Sequence, residues 1–461
     1  MAVLDEMAGL LEGAPLYVEG RYEESFRVVL RVAVQGTPEV RLETAQGGCF
    51  RAWGRTRGFA CFSGGARPAE ALRAALERSR AGGGRGGDWG GAFRAPRRLS
   101  CSDAPPQVEA GLDEWREALA EVVGRLSRGP IARAEARLER GWRRLGYVDT
   151  AGTWLEALRP MSTLAVTLLC SHDGAFRHLS RHLRLPERPQ DLAGAVGELE
   201  GLAADLARSL RAPWCELGSR PAVLHPEVAA VLIHEVVGHP AEKDESAPEG
   251  GGLGPPGAPV ASPAVTVVDG PAGLLERSCP SLVGMVTPPA ALFPFDDEGT
   301  ELRDVAVIDE GRVGCRLYTR ASARAVGAEP TGNGRAVDYR FPPLARMTAT
   351  YLLPGGVSPG DILSSVTDGV YLRLAPGGET TIRRFAVTPA LAYRIRRGSI
   401  GEPVRLGTLG GRQDRVLQGI KAVGNDFAWR EGTMCGKGGQ EGLPVAMGAP
   451  HVLLAGLEDL G

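Results

Sequence analysis

The hydrophobic pattern of this 461-residue chain changes character after Pro213, and that change limits the folds open to it. Before that point helical and strand periods are mixed. Ser25–Val34, Val40–Thr44, Arg57–Phe62, Ile131–Glu139 and Ser162–Cys170 read as strands, while Ala69–Arg80, Val108–Arg128 and Gln190–Arg211 have a helical period. Beyond it, one short helix around Val228–Gly238 is followed by short β-like runs at Ala264–Asp269, Val305–Asp309, Gly314–Tyr318, Ala345–Leu353 and Tyr393–Ile395. Turn residues such as Pro354-Gly355-Gly356 separate these runs. The chain is longer than one core usually serves. The expectation is an α+β protein, with an N-terminal α/β domain over residues 1–215 and a C-terminal domain over 216–461. The second domain is expected to be a curved antiparallel, barrel-like sheet that carries the helix.

Composition removes several functional classes. The eight cysteines are spread singly with no close CxxC pair, which fits a reducing cytoplasm better than a disulfide framework. The opening MAVLDEMAGLLEGAPLYVEG lacks a basic segment followed by an apolar core, and no apolar run approaches the roughly 18–20 residues that span a bilayer. A cytoplasmic protein without a membrane role is expected. The formal charge is −2 and arginines alternate with acids throughout, so no basic stripe offers itself to nucleic acid. Only three of 53 basic residues are lysine, and two of those, Lys243 and Lys437, lie within the segments described next.

Chemistry concentrates in Ala229–Ser246, AAVLIHEVVGHPAEKDES, where His234, Glu235 and His239 form the pattern HExxxH. In HExxH the histidines are four apart, or ~40° around a helix, and both reach one metal; a spacing of five is ~140° on a regular helix. Gly238 permits left-handed dihedrals and Pro240 disfavours the α region at His239, so the helix is expected to end at Gly238 and fold His239 back. Neutral imidazole suits zinc, and Glu235, beside a ligand without being one, suits a general base. Two histidines leave the set short of three protein ligands; Glu242, Asp244, His225 or a remote residue are open as the third. In the segment GTMCGKGGQ, Gly432–Gln440, glycines allow close approach to Cys435, and Lys437 would favour its thiolate. Taken alone, each segment has a plainer reading: surface histidines on a helix, and an inert cysteine in a glycine-rich turn. A redox role for Cys435 lacks a nearby resolving cysteine. The stretch from Pro248 to Pro263 reads as a linker or a covering loop.

Together, LIHEVVGHPAEKD (Leu232–Asp244), FDDEG (Phe295–Gly299), TGNGR (Thr331–Arg335), ARMTATYLLPG (Ala345–Gly355), VGND (Val423–Asp426) and MCGKGGQEGLPVAMGAP (Met434–Pro450) resemble the TldD/PmbA family, the modulator-of-gyrase metallopeptidases. The resemblance implies that His234, His239 and Cys435 hold one zinc ion, for which another divalent transition metal could substitute. It also implies that Glu235 activates a metal-bound water, and that the substrates are unfolded or small peptides. The implied assembly is a dimer, either a homodimer or a heterodimer with a related subunit lacking HExxxH. Ala349, where the family usually has asparagine, and the shortened Ala375–Thr380 segment depart from the pattern. These departures leave room for a tailoring hydrolase that removes an amino acid from a peptide-like metabolite. An inactive regulatory subunit is a third possibility.

Overall fold

A computed structural model describes residues 2–460, except 35, 65–66, 82–96, 102–106, 129–130, 173, 184, 187, 245–252, 280–292 and 382. Most of the glycine-rich stretch at Ala81–Gly91 and the first part of the Pro248–Pro263 stretch lie outside the described residues.

The strand periods of the N-terminal part run much further than hydrophobicity alone indicates. Strands β1 (Tyr17–Ala33), β2 (Glu39–Trp53), β3 (Arg57–Ser63), β4 (Arg98–Cys101), β5 (Ile131–Asp149), β6 (Trp154–His172) and β7 (Ala175–Leu183) form one sheet. Its order is β3-β2-β1-β5-β6-β4, with β7 also paired to β6. All its pairs are antiparallel except β4 with β6. The arginine-rich end of β5 is held by charge rather than apolar alternation: Arg143 pairs with Glu23 at 3.0 Å and Arg144 with Glu24 at 2.9 Å across the β1–β5 ladder. Gly141 is needed there, because a Cβ would stand 2.3 Å from the Phe26 carbonyl.

Helices α1 (Ala2–Leu11), α2 (Pro68–Arg80), α3 (Leu112–Leu126) and α4 (Ala193–Leu210) cover this sheet. Leu119 and Val123 of α3 and Leu199 and Leu206 of α4 pack on Leu164, Val166 and Leu168 of β6. The same core takes in Leu374 and Leu391 from the later part of the chain.

Beyond residue 216 two six-stranded sheets enclose helix α5 (Pro226–Ile233). One runs in the order Arg312–Val313, Val305–Asp309, Val267–Asp269, Ala349–Leu352, Gln440–Ala449 and Ala428–Lys437. The other centres on Asp368–Leu374, Ala222–Leu224 and Val452–Leu454. Every residue of α5 from Val228 to Ile233 is buried, so it is a core helix with no polar face. The chain is α+β with mainly antiparallel sheets, and among the described residues no sheet closes into a barrel. Parallel pairs at Ala349–Tyr351 with Ala446–Gly448 and at Ala222–Leu224 with Val370–Leu372 interrupt the antiparallel pattern.

Where the sequence indicated one helix after residue 213, there are also six-residue helices at Gly273–Ser278, Arg320–Ala325, Pro359–Ser364 and Gln413–Gln418. Less than two turns long, they show no readable period; two of them are marked by side-chain caps, the Thr319–Ser322 capping box and Ser358 accepting from the Asp361 N–H.

The FDDEG segment joins the two parts of the chain. Arg51 of β2 forms buried ion pairs with both Glu19 and Glu298, Arg21 of β1 pairs with Asp297 at 3.2 Å, and Arg320 reaches Glu19 at 3.3 Å. Asp296 and Asp297 in turn accept from the backbone N–H groups of Gly334 and Ala336, both at 2.7 Å, which fixes the TGNGR turn.

Candidate metal centre

The helix carrying the histidines does not end at Gly238. From His234 to Gly238 it opens into a π-turn, with the His239 N–H donating to the His234 carbonyl, and then continues through His239–Ala241. Gly238 (φ −60°, ψ −61°) and His239 (φ −57°, ψ −44°) are both right-handed, so the expected left-handed break and fold-back are absent. One extra residue in the turn brings residues five apart onto the face that residues four apart share in an α-helix. Glycine is required at 238 for space: a Cβ there would lie 2.0 Å from Met347 Sδ. Pro240 has no N–H to return to the Glu235 carbonyl, and the Thr380 hydroxyl lies 2.9 Å from that oxygen instead.

The result is a tight group. One ligand atom from each of His234, His239 and Cys435 lies within 4.8 Å of the others. The two imidazoles meet edge to face with centroids 4.9 Å apart, and Cys435 Sγ is 3.6 Å from His239 Nε2. Cys435 stands in the strand Ala428–Lys437, not in a turn; shifts of register between Arg430 and Thr433 and between Cys435 and Lys437 absorb its glycines. Fully buried Arg346 donates to the Cys435 carbonyl at 2.9 Å and approaches Glu242 at 3.8 Å, tying the strand to the helix.

The other candidates for a third ligand are engaged elsewhere. Glu242 faces His239 Nδ1 at 3.2 Å and accepts from the Met347 N–H at 3.0 Å. Asp244 accepts from the Ala345 N–H at 2.9 Å. His225 caps α5, its Nδ1 accepting from the Glu227 N–H at 3.3 Å. Lys437 is also committed, pairing with Asp244 at 2.6 Å and Glu242 at 3.1 Å, so its charge is matched by these acids instead of being free for the thiol.

Electrostatics keep the donors distinct. Burial, reinforced by the neighbouring His239, pulls His234 down to about 3, so it is a neutral imidazole with a lone pair to give. For His239 burial acts downward, but hydrogen bonds to Cys435 and Glu242 outweigh it and push the ring up to about 10. Glu242 falls to about 2 because His239 and Lys437 overcome its burial. Burial raises Glu235, opposed by the hydrogen bond from Thr380; its carboxylate lies 4.0 Å from His239 Nε2.

A cavity of about 270 Å³ opens against His234 and Glu235. Val231, Leu374 and Met447 give it apolar surface, Arg430 stands in its wall, and Arg181 and His182 of β7 bring the N-terminal sheet to its rim. Thr380, Arg346 and Arg430 were not among the residues singled out from sequence. Arg346 lies within ARMTATYLLPG and Thr380 ends the shortened Ala375–Thr380 segment, but nothing local marks either as a site residue, and Arg430 lies in no such segment.

Two nitrogen donors and one sulfur suit a zinc-type cation, and the buried His234 Nδ1 has no hydrogen-bond partner within the protein. These residues therefore fit a metal ion. Fold and donor set together are those of an α+β protein with a candidate metal site. Residues 217–459 match the family profile described as the PmbA/TldA metallopeptidase C-terminal domain, and the chain belongs to the PmbA/TldD metallopeptidase family.

A metalloprotease of Synechocystis is 31% identical over 271 residues, covering 57% of this chain and 54% of the relative. A zinc metalloprotease TldD homologue of Saccharolobus solfataricus is 30% identical over 257 residues, covering 55% and 54%. The chain thus spans about half the length of these curated relatives. Among solved structures, a protein of Thermotoga maritima described as a modulator of a DNA gyrase superposes with a TM-score of 0.70 at 19% identity, covering 98% of both chains. TldE from Thermococcus kodakarensis gives 0.67 at 16% identity, covering 98% of this chain and 100% of its own. At these identities the likeness is one of fold.

Proposed function

We propose that this chain is a zinc-dependent metallopeptidase hydrolysing amide bonds of unfolded or small peptides, with His234, His239 and Cys435 holding one zinc ion and Glu235 as general base. The convergence of those three side chains beside a buried glutamate carries the reading. Residues 216–461 would form the metallopeptidase domain and 1–215 the N-terminal α/β domain. The bound metal would polarise the scissile carbonyl and acidify the attacking water. Glu235 takes the water's proton at its carboxylate and delivers it to the leaving amine. Thr380 holds that carboxylate in place, and Glu242 orients His239. The Cys435 strand is the last in its sheet, so an extended peptide can lie along its edge and be held by main-chain hydrogen bonds with little side-chain readout.

The assembly we propose is a dimer, either of this chain with itself or with a related subunit lacking HExxxH; likeness to the TldE fold supports the second. Among the described residues no helix is long and apolar enough to cross a membrane, in keeping with a proposed cytoplasmic location. Glu235→Ala should retain one metal ion per chain and lose hydrolysis, whereas Cys435→Ala should lose both, measured by elemental analysis and a peptide assay. Full metal content in the Cys435 variant would remove it as a ligand. Activity untouched by a chelator would end the metal mechanism. The modest cavity also favours a second reading, removal of one amino acid from a small peptide-like molecule, which a product screen separates from general peptide hydrolysis.

A further inference from the structure

Arg430 lines the cavity beside His234 and Glu235 and stands on the Cys435 strand, where its register shifts. Among the described residues its guanidinium donates only to backbone, to the Pro376 carbonyl at 2.7 Å and the Glu227 carbonyl at 3.4 Å. Among the described residues no carboxylate pairs with it. The neighbouring arginines differ in this respect. Arg181 forms ion pairs with Glu227 and Glu198, and Arg373 reaches the same two acids at 3.4 and 3.8 Å. Glu227 is therefore already shared between two cations, while Glu235 is turned towards Thr380 and His239. His182, also in the wall, has a buried Nδ1 without a hydrogen-bond partner. Of the two arginines in the wall, Arg181 is matched by carboxylates and Arg430, among the described residues, is not.

We propose that Arg430 binds a substrate carboxylate in this cavity, so that hydrolysis is directed to a bond close to a carboxylate, whether a free C-terminus or an acidic side chain. The proposal rests on the peptidase reading for the hydrolysis, though the binding stands without it. Arginine carries five N–H donors in a planar fork, and two carbonyl contacts leave others for a carboxylate. A charge-assisted pair of this kind in a partly desolvated pocket is roughly twice as strong as a neutral hydrogen bond. The apolar surface of Val231, Leu374 and Met447 would take the aliphatic part of the same residue.

The test is equilibrium binding by calorimetry to the metal-loaded protein, with N-acetylalanine, its amide, and N-acetylglutamic acid α-amide as probes. At least one acid should bind about tenfold or more tighter than N-acetylalaninamide. The first acid reports an α-carboxylate site and the second a side-chain site. Arg430→Gln should abolish the preference and Arg430→Lys should keep part of it. Equal binding of acids and amide to the wild-type protein overturns the proposal, and this arm needs no variant to fold. A preference that survives Arg430→Gln also overturns it, since the carboxylate would then be held by the metal. Acid-selective binding without any peptide hydrolysis would leave the subsite standing and count against the peptidase reading alone.

Discussion

His239 owes its direction to a residue outside the HExxxH pattern. With Glu242 at Nδ1, the ring is left to present Nε2 to Cys435. Carboxylates that orient ligating imidazoles in this way typically account for about 10–100-fold in metal affinity. Glu242→Gln should weaken zinc binding by that factor in a chelator competition, and an unchanged affinity would show that His239 needs no such partner. Thr380 acts on the other side of the group, where its hydroxyl, with one hydrogen to give, lies within reach of both the Glu235 carbonyl that Pro240 cannot serve and the Glu235 carboxylate. Thr380→Val should lower kcat by about tenfold or more with little change in KM, since a buried acceptor left unsatisfied costs about 1–3 kcal/mol. Thr380→Ser should restore the rate; a KM effect alone would place the hydroxyl in binding rather than positioning.

Helix α5 is capped by a group that must stay neutral. Burial and then Arg373 pull His225 down to about 2. The unfolded chain takes up this proton below about pH 6.5, so the residue leaves stability unchanged above that pH. Below it stability falls by up to about 1.4 kcal/mol per pH unit. His225→Asn puts a capping oxygen in place of the ring nitrogen and should flatten the decline between about pH 4 and 6.5 in urea unfolding; an unaltered slope would assign the acid sensitivity to another group. At the other end of the element, Gly238→Ala should cost about 1–3 kcal/mol through its clash with Met347 Sδ, seen as a lowered Tm, and Met347→Ala should recover part of it. The same element shows how far the sequence can be read. HExxxH was legible because its reactive types are adjacent, and Cys435 because its glycine-flanked segment resembles a family motif. The π-turn was not, because glycine followed by His-Pro is also the signal for a helix end, and the deciding contact with Met347 comes from a distant segment. Likewise Gly432, Gly436, Gly438 and Gly439 read as a turn, although register shifts let most of them sit within or beside a strand pair. The α+β class was legible from periodicity; the full length of β5, held by cross-strand ion pairs, was not.

At the scale of the molecule, the FDDEG segment joins the N-terminal sheet to the part that bears the histidines. Arg51→Met would leave Glu19 and Glu298 buried without their shared cation, and should cost about 3–5 kcal/mol in equilibrium denaturation. A loss below 1 kcal/mol would mean that Arg320 alone neutralises the pair. The same ion pairs govern how the protein can be dissected. A cut after residue 215 would put Asp297 and Glu298 on one fragment and Arg21 and Arg51 on the other, each leaving charges built for burial facing water. The later fragment would keep both histidines and the cysteine yet lose the β7 side of the cavity. Trimming this chain to its family-matching region would therefore remove part of the cavity wall and the partners of the FDDEG acids; a shortened version that keeps both has to carry β1, β2 and β7 with it.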